Sequence, residues 1–327
     1  MLNYLIRRLA IGAITLLLIT FVIYGLIRNM PGTPLTVDMA ETDPSKQISP
    51  ERIKQLKAIY GLDKPWPQAY LHWIGNVAKG DFGRSFSRKR PVVTIIQERI
   101  GPTLLLSIPS LIISYLLSIP LGLYCSARDG HTDERVISTI LYMLYSFPAF
   151  VAALFLQLLF AIHLRWLPLF GMVGDQYEHL SLLGKTWDIF LHALLPVTVF
   201  TYGGLAYDAR FIRANMQEVL RQDYIRTARA KGLGPVGVIW THAFRNTLIP
   251  LVTLIGLTLP SLLSGSIIIE QIFNWPGMGS QFFVSITERD YPTVMGLTLM
   301  FSVLTLAAQL VADMLYAFVD PRVRMDQ

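Results

Sequence analysis

The chain has 327 residues, of which 53% are hydrophobic and 15% are charged, and its formal net charge is +6. A soluble domain carries about 25% charged residues, and the deficit here comes from long apolar runs, so the composition excludes an ordinary soluble protein. The orientation of membrane helices explains the basic excess better than nucleic-acid binding does, and no nucleic-acid partner is expected.

Six apolar runs are each long enough to cross a bilayer as a helix, which takes about 20 residues. None of them contains lysine or arginine, and the fourth is the weakest because it contains His192 and Pro196. We therefore predict an all-α membrane protein with six transmembrane helices. The predicted spans are Leu9–Ile27, Leu104–Cys125, Val136–Ile162, Ile189–Tyr207, Leu248–Ile269 and Thr293–Val319.

The first run follows Arg7 and Arg8, so it could also be interpreted as a signal peptide. A signal peptide has a shorter apolar region, and no A-x-A cleavage site follows Leu9–Ile27. An uncleaved first span is the favoured interpretation. Residues 1–27 are accordingly predicted to be a cytoplasmic N-terminus and the first span.

Residues 28–100 form the sizeable extracytoplasmic segment of the prediction. Within it, Pro50–Tyr60 predicts an amphipathic helix with Ser49 as its N-cap, and Pro67–Ala78 predicts a second short helix. The segment is too short to bury a core of its own. We expect it to pack on the outer ends of the spans.

The distribution of lysine and arginine predicts the orientation of the chain. With the N-terminus inside, the cytoplasmic segments contain 13 of these residues and the two short outer loops contain 3. The other 12 lie in residues 28–100, which do not count because long loops translocate largely regardless of charge. Both termini are therefore predicted to be cytoplasmic, with basic side chains near anionic lipid headgroups.

The cytoplasmic loop at residues 208–247 predicts two helices joined at an angle. Asp223 is a suitable N-cap for a short helix over Tyr224–Lys231, Gly232 follows as its C-terminal cap, and Pro235 begins the next helix. A short capped helix held outside the membrane is suited to docking another protein. The same helix could instead lie on the lipid surface, and the pattern alone leaves both interpretations open.

The stretch Asp223–Gly232, which reads Asp-Tyr-Ile-Arg-Thr-Ala-Arg-Ala-Lys-Gly, resembles the permease subunits of binding-protein-dependent ABC importers. Within these it is similar to the B-type subunit of the dipeptide, oligopeptide and nickel class. The general motif has Glu-Ala-Ala, three residues and then Gly. Here Arg226-Thr227-Ala228 occupies the Glu-Ala-Ala positions and Gly232 is the glycine, so the acidic residue of the motif is absent.

Four further stretches resemble the same class. All five occur in order along the chain, so the resemblance extends over nearly all of it. Two lie in the outer segment, one follows the fifth span and one closes the chain. They are Gly61–Pro65, Gly80–Ser85, Glu270–Gly279 and Asp320–Arg324.

The resemblance implies a type I ABC importer permease core, with residues 101–327 as its five-span part including the coupling loop at residues 208–247. It implies a second homologous permease subunit, two cytoplasmic ABC ATPase subunits that hold ATP and magnesium, and an extracytoplasmic solute-binding protein. It also implies a bacterial or archaeal inner (plasma) membrane. The chain itself is then a transport subunit, with no cofactor and no enzymatic activity of its own.

The resemblance also implies which residues meet these partners. The short helix and its cap are expected to contact an ATPase, and the outer motifs are expected to dock the binding protein or form an outer gate. The ATPase-contact residues are Asp223, Tyr224, Arg226, Thr227, Ala228, Lys231 and Gly232. The outer residues are Gly80, Asp81, Phe82, Gly83, Glu270, Phe273, Pro276 and Gly277.

Asp313 lies inside the sixth span, with Gln309 one helical turn before it. An ionisable residue within a span is a candidate functional residue. The alternative is a polar contact between two helices near the cytoplasmic end of the span, which is the favoured interpretation.

Three other patterns indicate little. Gly184-Lys185-Thr186 resembles the end of a P-loop, but the glycine that the motif needs is replaced by His179. The six histidines are scattered, so no metal site is expected. Secondary transporters usually have two similar halves, and a repeat of six spans does not fit in 327 residues. The spans also lack a nucleophile–base pair at helical spacing, which an intramembrane enzyme would need.

The sequence leaves the cargo open. Peptides are the expected cargo of the class that the chain resembles. Nickel complexes, glutathione-like compounds and oligosaccharides are the alternatives for the same machinery, and an ion-coupled secondary transporter is the alternative to it.

Overall fold

The computed structural model describes residues 2–30, 63–264 and 266–319. Within these ranges the chain is helical apart from turns and connecting loops, and no strand occurs there. The all-α prediction is confirmed for the described part of the chain. The predicted helix at Pro50–Tyr60 and the closing motif Asp320–Arg324 lie outside the described residues.

The described residues form eleven helices, with four shorter helical turns between them. The helices are α1 (Leu2–Asn29), α2 (Trp66–Val77), α3 (Val92–Ala127), α4 (Thr132–Ser146), α5 (Ala149–Leu156), α6 (Leu182–Leu220), α7 (Asp223–Ala230), α8 (Arg245–Ser264), α9 (Ile267–Ile272), α10 (Met278–Thr287) and α11 (Tyr291–Val319). The turns are Gln157–His163, Tyr177–His179, Pro235–Gly237 and Val238–Phe244.

Four of these helices, α1, α3, α6 and α11, are each long and apolar enough to cross a membrane. Two bent pairs add up to two more spans if each pair counts as one. These pairs are Thr132–Ser146 with Ala149–His163, and Pro235–Leu248 with Pro250–Gly256. The described residues thus contain four to six candidate spans, and the predicted six is the upper figure.

The third predicted span, Val136–Ile162, is broken into two helices. Its two halves meet at an angle of 96° between Ser146 and Ala149. Phe147 is extended (φ −86°, ψ 122°), as expected of a residue before a proline, and Pro148 lacks the N–H that a continuous helix would need. The hydroxyl of Tyr202 donates to the carbonyl of Phe147 at 2.9 Å, which satisfies a backbone group that the break frees.

The two longest helices, α3 and α6, pack against each other at the centre of the molecule. A Cβ at Gly122 of α3 would lie only 2.8 Å from the carbonyl of Ala209 and from the side chain of Ile212 in α6. A glycine therefore lets the two backbones approach closely, as small residues do between membrane helices. At a neighbouring level of the same contact, the Ser114 hydroxyl of α3 donates to Asp208 of α6 at 3.0 Å.

The outer segment packs on α1 through α2, which spans Trp66–Val77 where the sequence predicted Pro67–Ala78. The hydroxyls of Tyr70 and Thr20 lie 3.0 Å apart, and the rings of Trp66 and Phe21 lie 5.0 Å apart. Tyr70 is buried by these contacts. Within the described part of the segment, α2 therefore packs on the first span.

Candidate functional site

The short helix of the cytoplasmic loop is present as α7, but it begins one residue earlier than the sequence predicted. Gln222 is its N-cap, and no side chain makes a capping hydrogen bond there. The prediction that Asp223 is the N-cap is therefore wrong. Asp223 is the first helical residue, where its carboxylate still suits the positive end of the helix dipole and pairs with Arg226 at 3.2 Å.

Gly232 ends α7 in the left-handed conformation, with φ 81°. Lys231 is the C-cap, and the N–H of Leu233 donates to the carbonyl of Ala228 at 3.4 Å, which closes the last turn of the helix. A Cβ at Gly232 would meet nothing within 4 Å. The positive φ is therefore the reason for glycine here, as the sequence predicted.

One face of α7 is buried in the core of the chain. Ile225 is fully buried and Ala228 is 5% exposed, and both pack with Met216 of α6 and with Val238 of the segment that leads to α8. This single cluster joins α7 to the helix before it and to the helix after it. We infer that α7 moves with these helices and not independently of them.

The opposite face of α7 is exposed. The side chain of Asp223 is 94% exposed and that of Arg226 is 75% exposed, and Tyr224 is 43% exposed. Thr227 and Lys231 are exposed as well. Of the predicted ATPase-contact residues, Ala228 alone lies in the core, so it supports the helix from behind.

Glu270 of α9 is fully buried at the outer motif, where it caps the start of α10. The N–H of Ser280 donates to one carboxylate oxygen at 2.7 Å, and the hydroxyl of Thr103 in α3 donates to the other at 3.1 Å. The Thr103 hydroxyl also accepts the N–H of Met278 at 2.8 Å. Burial raises the pKa of Glu270 to about 7, against the opposing effect of these hydrogen bonds.

The residues around Glu270 fit tightly. A Cβ at Gly277 would overlap the Glu270 carboxylate. Phe273 is 3% exposed, Pro276 is partly buried, and the buried Trp275 donates its ring N–H to the carbonyl of Pro102 at 2.8 Å. Glu270 and Phe273 therefore offer no surface for a docked protein in this conformation, and their assignment to an outer gate stays a prediction.

The other outer motif forms a tight turn after α2. Gly80 and Gly83 have φ values of 83° and 82°, and the N–H of Gly83 donates to the Asp81 carboxylate at 2.8 Å. Asp81 is exposed, whereas Phe82 packs partly buried against a cluster that includes Met278 of α10. Both outer motifs therefore contribute a residue to the same hydrophobic cluster.

The sequence did not identify Asp290, which ties the outer segment to the last span. Asp290 is fully buried and accepts four hydrogen bonds in front of α11. The Ser85 hydroxyl donates to it at 2.5 Å and the Phe86 N–H at 2.8 Å. The Thr293 hydroxyl, three residues on, donates at 2.7 Å. An aspartate just before an apolar run is a recognisable N-cap signal, although the partners from the outer segment are not predictable from it.

A second residue that the sequence did not identify is Asp208 of α6. It is 4% exposed and accepts the Ser114 hydroxyl. The fourth span was predicted to end at Tyr207, one residue short of it. The observed α6 continues to Leu220, so Asp208 lies within a helix that crosses the membrane.

Asp313 pairs with Arg8 of α1, with 2.6 Å between the guanidinium nitrogen and the carboxylate oxygen. Gln309 lines a groove between α1 and α11, with Arg8 at the same site. Both residues therefore face the first helix. The ion pair between α1 and α11 gives Asp313 a partner that accounts for a charge in this span.

The described residues contain no group of three or more His, Cys, Asp or Glu side chains that could hold a metal ion. The sites that remain are the exposed face of α7 and the packed outer motifs. The exposed face of α7 is suited to contact with another protein, whereas Glu270 and Phe273 of the outer motifs are buried.

Two family models match the chain. "Binding-prot-dependent transport system membrane comp, N-term" matches residues 1–107. "Binding-protein-dependent transport system inner membrane component" matches residues 118–325, which contain α7, α9 and α10.

Curated relatives match over nearly their whole length. The chain is 39% identical to the oligopeptide transport system permease protein AppB of Bacillus subtilis, over 98% of each chain. It is 36% identical to the glutathione transport system permease protein GsiC of Shigella flexneri, over 99% of each chain. It is also 36% identical to the dipeptide transport system permease protein DppB of Escherichia coli, over 99% of each chain.

Among solved structures, the inward-facing MetNI methionine ABC transporter resembles the chain with a TM-score of 0.55 at 17% identity. The match covers 70% of this chain and 97% of that one, so the two share a fold. The chain belongs to the family of binding-protein-dependent transport system inner membrane components, which are permease subunits of ABC transporters and not enzymes.

Proposed function

We propose that α7 is the helix through which a cytoplasmic ATPase drives this permease. The observation that carries this proposal is the division of α7 into a face buried in the core of the chain and a charged, exposed face. A helix fixed in this way transmits a push on its exposed face to α6 and α8 as a rigid body. The basic residues on this side of the predicted spans support a cytoplasmic position.

The proposed assembly contains this chain, a second homologous permease and two ATPase subunits that hold ATP and magnesium. A solute-binding protein docks on the outer face, and lipid surrounds the spans in the inner membrane of a bacterium or archaeon. ATP binding would bring the ATPases together, and the α7 helices would follow and open the path outward. Hydrolysis would reverse the movement.

The outer motifs are proposed to work as one unit in this cycle. Phe82 of the outer turn packs against the cluster that contains Met278 of α10, and Asp290 bonds the same outer segment to the start of α11. A binding protein that engages the exposed Asp81 would therefore act on α10 and α11 together. In this proposal Glu270, Phe273, Pro276 and Gly277 hold the unit together, and Gly80 and Gly83 shape its surface.

Peptides are the proposed cargo, because two of the three relatives described above are named for oligopeptide and dipeptide transport. Nickel complexes, glutathione-like compounds and oligosaccharides are the competing cargos. Proteoliposomes that contain the co-purified complex and its binding protein would be tested for uptake of radiolabelled tri-alanine. We expect uptake that requires ATP and that excess unlabelled peptide abolishes.

Two results would contradict this proposal. Uptake that an ion gradient drives without ATP would indicate secondary transport. ATP-dependent uptake that glutathione or a nickel complex inhibits, and that unlabelled peptides do not inhibit, would support the ATP-driven importer but contradict peptides as its cargo.

A further inference from the structure

A pocket of about 450 Å³ opens between α4 and α6, on the side of α6 away from α3. Its lining carries two arginines and no acidic residue. Tyr142, Tyr145 and Tyr207 form its aromatic wall and are 51%, 52% and 46% exposed. The lining residues from α6 are Tyr207, Arg210, Phe211, Arg213, Ala214 and Gln217. We call this site the Arg210 pocket.

The two arginines of the pocket differ in their partners. Arg213 is neutralised by Glu134 at 2.8 Å and by Asp129 at 3.0 Å. Arg210, one helical turn earlier, has no acidic partner within 4.0 Å among the described residues. Asp208 is close in sequence, but it faces α3 and accepts the Ser114 hydroxyl.

Tyrosines hold Arg210 in place. Its guanidinium lies 4.0 Å from the centre of the Tyr142 ring and 5.2 Å from that of Tyr145. Stacking uses the flat face of a guanidinium and leaves the N–H donors at its edge available. The geometry therefore presents a fixed positive charge with free donors to the pocket, which is the arrangement that recognises a carboxylate or phosphate.

The surroundings indicate that water and not hydrocarbon fills the pocket. Arg210 lies three residues beyond Tyr207, where the fourth span is predicted to end, on the helix α6 that continues to Leu220. An uncompensated charge so close to the end of a span is costly if it faces lipid, so it faces water or a water-filled cavity. The exposed tyrosines add hydroxyl groups to the same surface.

We propose that the Arg210 pocket is an anion subsite of the translocation path, which takes the carboxylate of the cargo. This rests on the proposed function, because a peptide carries a terminal carboxylate. An anionic lipid headgroup offers the same chemistry from a different source. The subsite would hold cargo near the α7 end of α6, and the tyrosine wall would pack against its apolar part.

Thiol labelling tests the charge and the access of the pocket. The full chain with Ala214→Cys and Cys125→Ser would be placed in nanodiscs with its co-purified partners. Labelling rates would be measured with a sulfonate-bearing and a trimethylammonium-bearing methanethiosulfonate. Ala214 is exposed and lies one turn from Arg210, so we expect the anionic reagent to react about tenfold faster than the cationic one.

Two variants serve as controls for this ratio. Arg210→Gln should abolish the preference for the anionic reagent, whereas Arg210→Lys should retain it because the charge remains. Arg221→Gln removes an exposed arginine about three turns further along α6 and should leave the ratio unchanged. Absence of labelling, or a ratio that Arg210→Gln does not alter, would overturn the proposal.

The source of the anion is tested by protection. Excess tri-alanine should slow labelling several-fold in phosphatidylcholine nanodiscs, and tri-alanine amide should not. Protection by phosphatidylglycerol with no effect of tri-alanine would assign the site to a lipid headgroup and overturn the cargo assignment, as would no protection at all. The labelling ratio requires no ATP, so its outcome is separate from that of the uptake experiment.

Discussion

At Gly277 the absence of a side chain is a requirement of packing. A Cβ there would overlap the carboxylate of Glu270. The backbone is extended (φ −89°, ψ −176°), a conformation open to any residue, so the constraint is purely steric. Glu270 cannot retreat without losing its hydrogen bonds to Thr103 and Ser280.

Gly277→Ala is therefore expected to lower the free energy of unfolding by about 1–3 kcal/mol, the usual cost of overpacking. The measurement is thermal unfolding of the purified chain in detergent. Gly75→Ala is the matched control, because a Cβ at Gly75 in α2 meets nothing within 4 Å. Equal melting temperatures for Gly277→Ala and the wild type would contradict the packing around Glu270.

Glu270 should also leave a signature in the pH dependence of stability. Burial raises its pKa to about 7 from an ordinary value of 4.5, so the folded state binds more protons than the unfolded state between these values. The contribution of Glu270 to stability is present below pH 4.5, falls as the pH rises to about 7, and stays low above that.

Glu270→Gln removes this titration. Its melting temperature should therefore change less between pH 5 and pH 8 than that of the wild type. The other titratable groups are the same in both proteins, so the difference between the two curves reports Glu270. Parallel curves for the two proteins would show that Glu270 does not titrate in this range.

Gly232 differs from Gly277, because its surroundings are open and its backbone is the constraint. A non-glycine residue at φ 81° costs roughly 1–2 kcal/mol. Gly232→Val should therefore leave membrane insertion intact but distort the end of α7 and lower ATP-dependent uptake several-fold. Gly234→Val is the control, because Gly234 has φ −66° and open space around it. Normal uptake at normal expression in Gly232→Val would refute the role of α7 in coupling.

At the scale of the element, α7 has two faces that should respond differently to substitution. Tyr224 and Arg226 lie on the exposed face, whereas Ile225 is fully buried between them in sequence. Tyr224→Ala combined with Arg226→Ala should reduce the amount of co-purified ATPase about tenfold and leave the melting temperature unchanged, because exposed substitutions cost little stability.

Ile225→Ala is the comparison within the same helix. It should lower the free energy of unfolding by about 2–5 kcal/mol through a core cavity. Co-purification and thermal unfolding would be measured on both variants. Loss of stability in the exposed pair, or retention of ATPase by it, would contradict the division of α7 into two faces.

The elements also show what the sequence could predict. Apolar runs and caps identified the spans, α2 and α7 because these signals are local. The run Val136–Ile162 predicted the third span, but the 96° angle at which it breaks was not predictable, because Tyr202 bonds to Phe147 from another helix. The start of α7 differed by one residue because Asp223 suits the first turn as well as the N-cap.

The candidate site shows the same difference between local signals, which the sequence predicts, and contacts between helices, which it does not. The Gly232 cap was predictable because a positive φ favours glycine wherever it occurs. Asp290 and the Arg210 pocket were not predictable, because their partners lie on other helices. Ser85 is about two hundred residues from Asp290 in the chain, and the tyrosines that hold Arg210 belong to α4. Contacts of this kind are set by packing, which the sequence pattern does not specify.

At the scale of the whole molecule, the two ends of the membrane domain are built differently. The outer motifs form a buried network in which Glu270 and Asp290 bond three separate segments. The opposite end presents α7 on a small hydrophobic cluster with its charges exposed. A buried network at one end and an exposed helix at the other, joined by α3 and α6, suit a subunit that partner proteins move.

The central claim is that this chain works only with separate ATPases, and affinity purification in mild detergent tests it most directly. Everything that accompanies the tagged chain would be identified by mass spectrometry. We predict a second permease of similar size and ATPase subunits with Walker motifs. A chain that purifies alone or only with itself, under conditions that preserve known transporter complexes, would contradict the claim and indicate secondary transport.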